Sequence, residues 1–196
     1  MDDFDFTLDE PLPVETRNAF LPRKSDAMGR HTLSVLVQNQ PGVLSRVSGL
    51  FSRRGFNIES LAVGPTQDED VSRITITVQG DHALVDQMVQ QLYKLICVQK
   101  VLVLEPGQAV ERQLVLVKVR ATTETRDAVM RIVDIFRARI VDVTRETLTV
   151  EITGEEDKTA ALLGLLTDYG IVELVRTGVV ALQRGAADIS MSAQRM

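Results

Sequence analysis

One pattern of hydrophobic periods, met twice, limits what this chain can fold into more than any other feature. Between Thr32 and Leu104, and again between Leu114 and Leu182, runs of alternating residues are interrupted by runs in which apolar residues recur at spacings of three and four. Alternation is the period of a half-buried strand, and the three-and-four spacing is that of a helix packed by one face. In the first pass Leu33, Val35 and Val37 alternate, and Gln40-Pro41-Gly42 makes a turn. Leu44, Val47, Leu50, Phe51 and Arg54 then form one helical stripe, which Gly55 ends. Ile58 to Val63 predicts a second strand and Ile74, Ile76 and Val78 a third, with the acidic turn Asp68-Glu69-Asp70 between them. Val85, Met88, Val89, Leu92 and Leu95 predict a second helix, and Val98 to Leu104 a fourth strand before Glu105-Pro106-Gly107.

The second pass repeats the order. Leu114 to Arg120 reads as a strand and Val129, Ile132, Val133 and Phe136 as a helix. Ile140 to Val143 and Leu148, Val150 and Ile152 read as two strands, and Leu162, Leu163, Leu165 and Leu166 as a helix. Val172 to Val175 with Val179 to Leu182 supplies the last strand. The order β-α-β-β-α-β is that of ferredoxin-like units, and each pass occupies roughly 75 residues, the size of a small domain. The predicted fold class is α+β: two ferredoxin-like units, each an antiparallel sheet with helices on one face. The expected division is a flexible N-terminal tail over 1–29, units over 30–105 and 106–185, and a C-terminal tail over 186–196. The N-terminal stretch holds Pro11, Pro13 and Pro22, clusters its acids early and has no sustained period, so it lacks the apolar surface to offset the entropy of ordering.

Composition then narrows the function. The chain is 44% hydrophobic but only 4% aromatic, with no Trp, so its core is aliphatic and suits sheets covered by helices. A net charge of -5 leaves no concentrated positive surface for nucleic acid. The single cysteine, Cys97, forms no intrachain disulfide, and His31 and His82 are too few for a His-rich metal site. With no apolar run of membrane-spanning length and an acidic N-terminus, no membrane segment or targeting peptide is expected, and the expected setting is the cytoplasm. There is no Gly-x-Gly-x-x-Gly, Walker loop, Cys-x-x-Cys, His-Glu-x-x-His or Gly-x-Ser-x-Gly. No catalytic residue and no metal ligand is expected.

The informative segment runs from Val37 to Leu44. A strand empties into a Pro-Gly turn that starts a helix, so the first backbone N–H groups of that helix attract anions. Gly42 has no Cβ to obstruct a ligand carboxylate, and Asn39 offers both a donor and an acceptor. Asn57, at the start of the second strand, offers the same pair. Val35, Val43, Leu44 and Ile58 could receive an aliphatic group, whose burial contributes on the order of 1.5–3 kcal/mol. These are the needs of a zwitterionic aliphatic amino acid. A plain turn with Asn39 bonding its own backbone accounts for the same residues.

Gln38 to Val47, followed by Gly49-Leu50-Phe51-Ser52-Arg53-Arg54-Gly55-Phe56-Asn57-Ile58-Glu59-Ser60-Leu61, resembles an ACT domain of the type found in the regulatory small subunits of acetolactate synthase (acetohydroxyacid synthase). The resemblance continues through Ser72-Arg73-Ile74-Thr75, Gln91 to Leu95, Glu111 to Leu114, Ile135 to Ala138 and Arg176 to Leu182. It covers about 30–185. It implies an N-terminal ACT domain, an ACT-like C-terminal unit and a non-catalytic subunit that activates a large catalytic subunit and confers feedback inhibition by valine or another branched-chain amino acid. It implies that this chain binds no cofactor, with thiamine diphosphate, Mg and FAD on the catalytic partner. It also implies a homodimer through the ACT domains, with the effector at the interface: Asn39, Gly42, Val43 and Leu44 from one chain, Asn57 and Ile58 from its mate. Two alternatives share the predicted unit: a stand-alone amino-acid sensor, and an acylphosphatase-type enzyme, which needs an Arg that the first loop lacks.

Overall fold

A computed structural model describes residues 29–187 and Ile189. The described residues form nine strands and four helices. The first unit comprises β1 (Gly29–Gln38), α1 (Val43–Arg54), β2 (Ile58–Pro65), β3 (Val71–Gly80), α2 (His82–Leu92) and β4 (Val98–Leu104). The second comprises β5 (Ala109–Arg120), α3 (Arg126–Ile135), β6 (Arg139–Val143), β7 (Thr147–Gly154), α4 (Glu156–Thr167), β8 (Ile171–Arg176) and β9 (Val180–Gln183). The sheet orders are β2-β3-β1-β4 and β6-β7-β5-β8. Every pairing is antiparallel, so the second sheet repeats the first strand for strand and the α+β ferredoxin-like prediction holds.

Alternation decides which face of each central strand meets the helices. Leu33, Val35 and Val37 of β1 and Ile74, Ile76 and Val78 of β3 project to one side. There they bury against Val43, Val47, Leu50 and Phe51 of α1 and Val85, Met88 and Leu92 of α2. Val115, Val117 and Val119 of β5 do the same beneath α3 and α4. In α1 it is Val43, not Leu44, that enters the core, and Leu44 turns outward with 42% of its surface exposed. In α4, Leu165 likewise faces out. Gly55 ends α1 in the left-handed region at φ 70, and the Phe56 N–H donates to Phe51 O at 3.0 Å, a Schellman ending.

Several boundaries differ from expectation. Gly29, assigned to the tail by the alternation that starts at Thr32, already belongs to β1 and pairs with Gly80. Residues 1–28 lie outside the described residues, as does most of the expected C-terminal tail, but Ile189 within that tail is buried. β2 continues through Gly64-Pro65, which an edge strand tolerates because the missing N–H faces away from the ladder. The last strand is two. β8 pairs with Val115–Val119, and after a break at residues 177–179 β9 pairs with Ala109–Arg112.

That split produces a two-stranded ribbon of β9 and the first part of β5. Ala109 and Ala181 of the ribbon pack with Leu104. The face of the first sheet that looks away from its helices carries Thr32, Ser34, Thr75 and Thr77, all buried, and the ribbon lies across it. Small side chains let the two backbones approach. At Gly178, in the connection that leads into β9, a Cβ would overlap the Leu61 carbonyl.

Candidate effector site

The loop from Gln38 to Gly42 is shaped by main-chain bonds to the acidic turn between β2 and β3. The Asn39 N–H donates to Asp70 O at 2.7 Å, and the Asn39 side-chain amide donates to Glu69 O at 2.8 Å. Asn39 therefore ties its loop to a neighbouring turn and does not cap its own backbone. Its Oδ1 has no partner among the described residues. The acidic turn satisfies itself: Asp68 Oδ1 accepts the Asp70 N–H at 3.0 Å and Thr66 Oγ1 the Asp68 N–H at 3.1 Å.

Gly42 is the N-cap of α1, at φ 82, ψ -4, and supplies no side-chain cap. Its left-handed backbone is one that side chains other than Gly, Asn and Asp rarely adopt. The Val43 N–H turns back to Gln40 O at 3.3 Å and the Arg46 N–H makes the first helical bond, to Gly42 O at 3.1 Å. The N–H groups of Leu44 and Ser45 have no acceptor among the described residues, and the first turn holds no acidic residue. The positive end of the helix dipole is thus presented with two free donors. A Cβ built on Gly42 meets nothing within 4 Å. Val35 and Val43 are spent on the core, which leaves Leu44 as the apolar surface beside this end.

Asn57 and Ile58 stand elsewhere. Asn57 is exposed, and Ile58 packs partly against the core. Gln38 is opposite Val71 at one end of β3 and Ile58 is opposite Val78 near the other. α1, with 12 residues, separates the two groups by about 18 Å at 1.5 Å per residue. One chain does not bring Asn39, Gly42 and Leu44 together with Asn57 and Ile58. The strand that Ile58 begins and Asn57 leads into is an edge of its sheet.

Asn57 and Ile58 instead line a polar cleft between the units, with Arg30, Ser60, Glu156 and Thr177. Arg30 Nε lies 3.4 Å from Glu59 Oε2, and Arg30 Nη1 pairs with Glu156 Oε2 in the first turn of α4. Ser60 Oγ accepts the Val179 N–H at 2.9 Å. Arg30 and Glu156 are not singled out by the sequence pattern; each is an ordinary polar surface residue until the fold assembles. A separate apolar groove of about 370 Å³ lies further along the helix-free face of β2 and β3, between Ala62, Thr75, Val180 and Leu182, and touches none of the expected site residues.

Comparison with known proteins agrees with this division. A family model described as the AHAS small subunit-like ACT domain matches residues 33–100, and one described as the small subunit of acetolactate synthase matches residues 112–185. A probable acetolactate synthase small subunit of Archaeoglobus fulgidus is 53% identical over 156 residues, which is 80% of this chain and 98% of the relative. The acetolactate synthase small subunit of Mycolicibacterium smegmatis is 50% identical over 165 residues, 84% of this chain and 97% of the relative. The crystal structure of the acetolactate synthase small subunit of Thermotoga maritima superposes with a TM-score of 0.75 at 42% identity, covering 81% of this chain and 99% of that one. No helix among the described residues is long and apolar enough to cross a membrane. With both units matched and half of the aligned residues identical across four-fifths of its length, the chain belongs to the acetolactate synthase small-subunit family.

Proposed function

We propose that this chain is the regulatory, non-catalytic subunit of an acetolactate synthase, that it raises the activity of the large catalytic subunit, and that it makes the complex sensitive to valine or another branched-chain amino acid. In this reading the carboligation of pyruvate, with thiamine diphosphate, Mg and FAD, belongs to the large subunit, and the assembly works in the cytoplasm.

The observation that carries the reading is the glycine-capped start of α1. Its two free N–H donors suit a carboxylate, the unpaired Oδ1 of Asn39 suits an ammonium group, and Leu44 offers apolar contact. The remaining contacts, Asn57 and Ile58, come from a second copy. Two chains set side by side along their β2 edges, related by a two-fold axis, each lend the start of β2 to the other's loop and form two equal sites. The effector must bind one state of the complex better than the other, and a coupling of about 1–3 kcal/mol gives a useful response.

Gly42→Asp tests the site. A carboxylate at that cap would occupy the free donors and repel the ligand, while Gly42→Asn keeps the left-handed tolerance without the charge. The expected result is a complex that is still activated but no longer inhibited by valine for Gly42→Asp, with partial inhibition for Gly42→Asn. Full valine sensitivity in the Gly42→Asp complex would place the site elsewhere. A chain that binds valine yet neither joins nor activates a pyruvate-condensing large subunit would instead be a stand-alone sensor.

A further inference from the structure

Five consecutive residues, Asn57 to Leu61, do two things at once. Asn57 and Ile58 are the residues assigned to the effector. The next three brace the C-terminal unit: Glu59 through Arg30 to Glu156 of α4, Ser60 Oγ through the Val179 N–H, and the Leu61 backbone against Gly178. At about 3.3 Å per residue the whole set lies within roughly 10 Å of Ile58. β2 pairs with β3 at Ile58 and again from Ser60 to Pro65, with a register irregularity at Glu59 between them, so a displacement at Ile58 meets this irregular step before Ser60 and Leu61, and Glu59 itself sits in it.

The Arg30 brace is incomplete. Its Nε is buried and has no hydrogen-bond acceptor, although Glu59 stands 3.4 Å away. An N–H···O bond prefers about 2.9 Å, so a closer approach of Glu59 gives this buried donor its acceptor and a retreat leaves it without one. That difference gives two arrangements of β2 unequal energy. The 2.9 Å bond from Val179 to Ser60 is equally sensitive in the opposite sense, since separation breaks it.

We infer that the start of β2 is the link through which effector occupancy is passed to the C-terminal unit, with Arg30 and Ser60 as its positioning residues. This rests on the effector reading above, because it needs Asn57 and Ile58 to touch the ligand. The effector pulls on Asn57, just before the strand, and on Ile58, its first residue, and the following three change their hold on α4 and on the β8–β9 connection. Neither Arg30 nor Ser60 contacts the ligand.

The test uses the full chain and its complex with the large subunit, with valine as the probe. Wild type, Arg30→Gln, Ser60→Ala and the hydroxyl-retaining Ser60→Thr are compared for valine binding by calorimetry and for inhibition of acetolactate formation. The expected result is binding within about threefold of wild type in every variant, with a loss of at least about fivefold in the response to saturating valine for Arg30→Gln and Ser60→Ala. Ser60→Thr restores the response. Variants that bind and are inhibited like wild type would overturn the link. Variants that lose valine binding would also overturn it, since Arg30 and Ser60 would then be parts of the pocket. A wild-type chain that binds no valine would refute the effector reading itself, and the link with it.

Discussion

Gly178→Ala is the substitution for which the geometry gives the sharpest expectation. Gly178 stands between β8 and β9 where the chain crosses β2, and its φ is not in the left-handed region, so its backbone alone would accept a side chain. The obstacle is packing. A Cβ there overlaps the Leu61 carbonyl and lies 2.9 Å from Ala62 N. Both are backbone atoms of a hydrogen-bonded strand and cannot rotate aside. Relief requires the connection to lift from β2. Overpacking of this kind costs about 1–3 kcal/mol. Lifting also stretches the bond from the Val179 N–H to Ser60 Oγ, which contributes about 0.5–1.5 kcal/mol. The sum is about 1.5–4.5 kcal/mol, which for a protein of this size lowers the melting temperature by about 3–18 °C. Gly164→Ala is the control. Gly164 is exposed inside α4 and a Cβ meets nothing within 4 Å, so alanine adds about 0.5–1 kcal/mol of stability through helix propensity. Thermal unfolding followed by circular dichroism should move in opposite directions for the two variants. A Gly178→Ala protein that melts with the wild type, or one that falls no further than Gly164→Ala, would refute the close approach of β2 and the β8–β9 connection.

Arg137 ends α3 at φ 52, in the conformation glycine prefers, with the Ala138 N–H donating to Val133 O at 3.0 Å. Arg137→Gly should remove about 1–2 kcal/mol of backbone strain against about 0.4–1 kcal/mol of added freedom in the unfolded chain, for a net gain of about 0.5–1 kcal/mol in urea unfolding. A lower urea midpoint would contradict it. Cys97 is 1% exposed although its neighbour Ile96 is 91% exposed. Its labelling by a thiol reagent should follow global unfolding across a urea series, and rapid labelling of the native protein would be inconsistent with that burial.

Most of the fold was legible because β1, β3, β5 and β7 each put one face under helices, and that alone imposes the period of two. Alternation marks two faces without saying what covers the second. Thr32, Ser34, Thr75 and Thr77 look like a solvent face and are buried under the β5–β9 ribbon, for which small hydroxyl side chains leave room. The division of the last strand was not legible either. Both halves bond to β5, and at the break Gly178 and Val179 turn to β2, a tertiary neighbour far away in the chain, where the Val179 N–H bonds Ser60 Oγ. At the site, the Pro-Gly signal located the open helix end at Gly42. The distance between that end and Asn57 depends on the run of α1 and β3 in space, which local spacing does not encode. Arg30 and Glu156 meet only when the two units pack.

Control of another protein's catalysis by this chain, through a bound branched-chain amino acid, is tested directly by one titration: acetolactate formation by the large subunit, measured as this chain and then valine are added. Activity should rise on addition of the chain to a plateau at a fixed ratio of the two proteins and then fall with valine along a saturating curve. A large subunit whose rate is unchanged by the chain, or a complex whose activity is unmoved by valine, leucine and isoleucine alike, would contradict it.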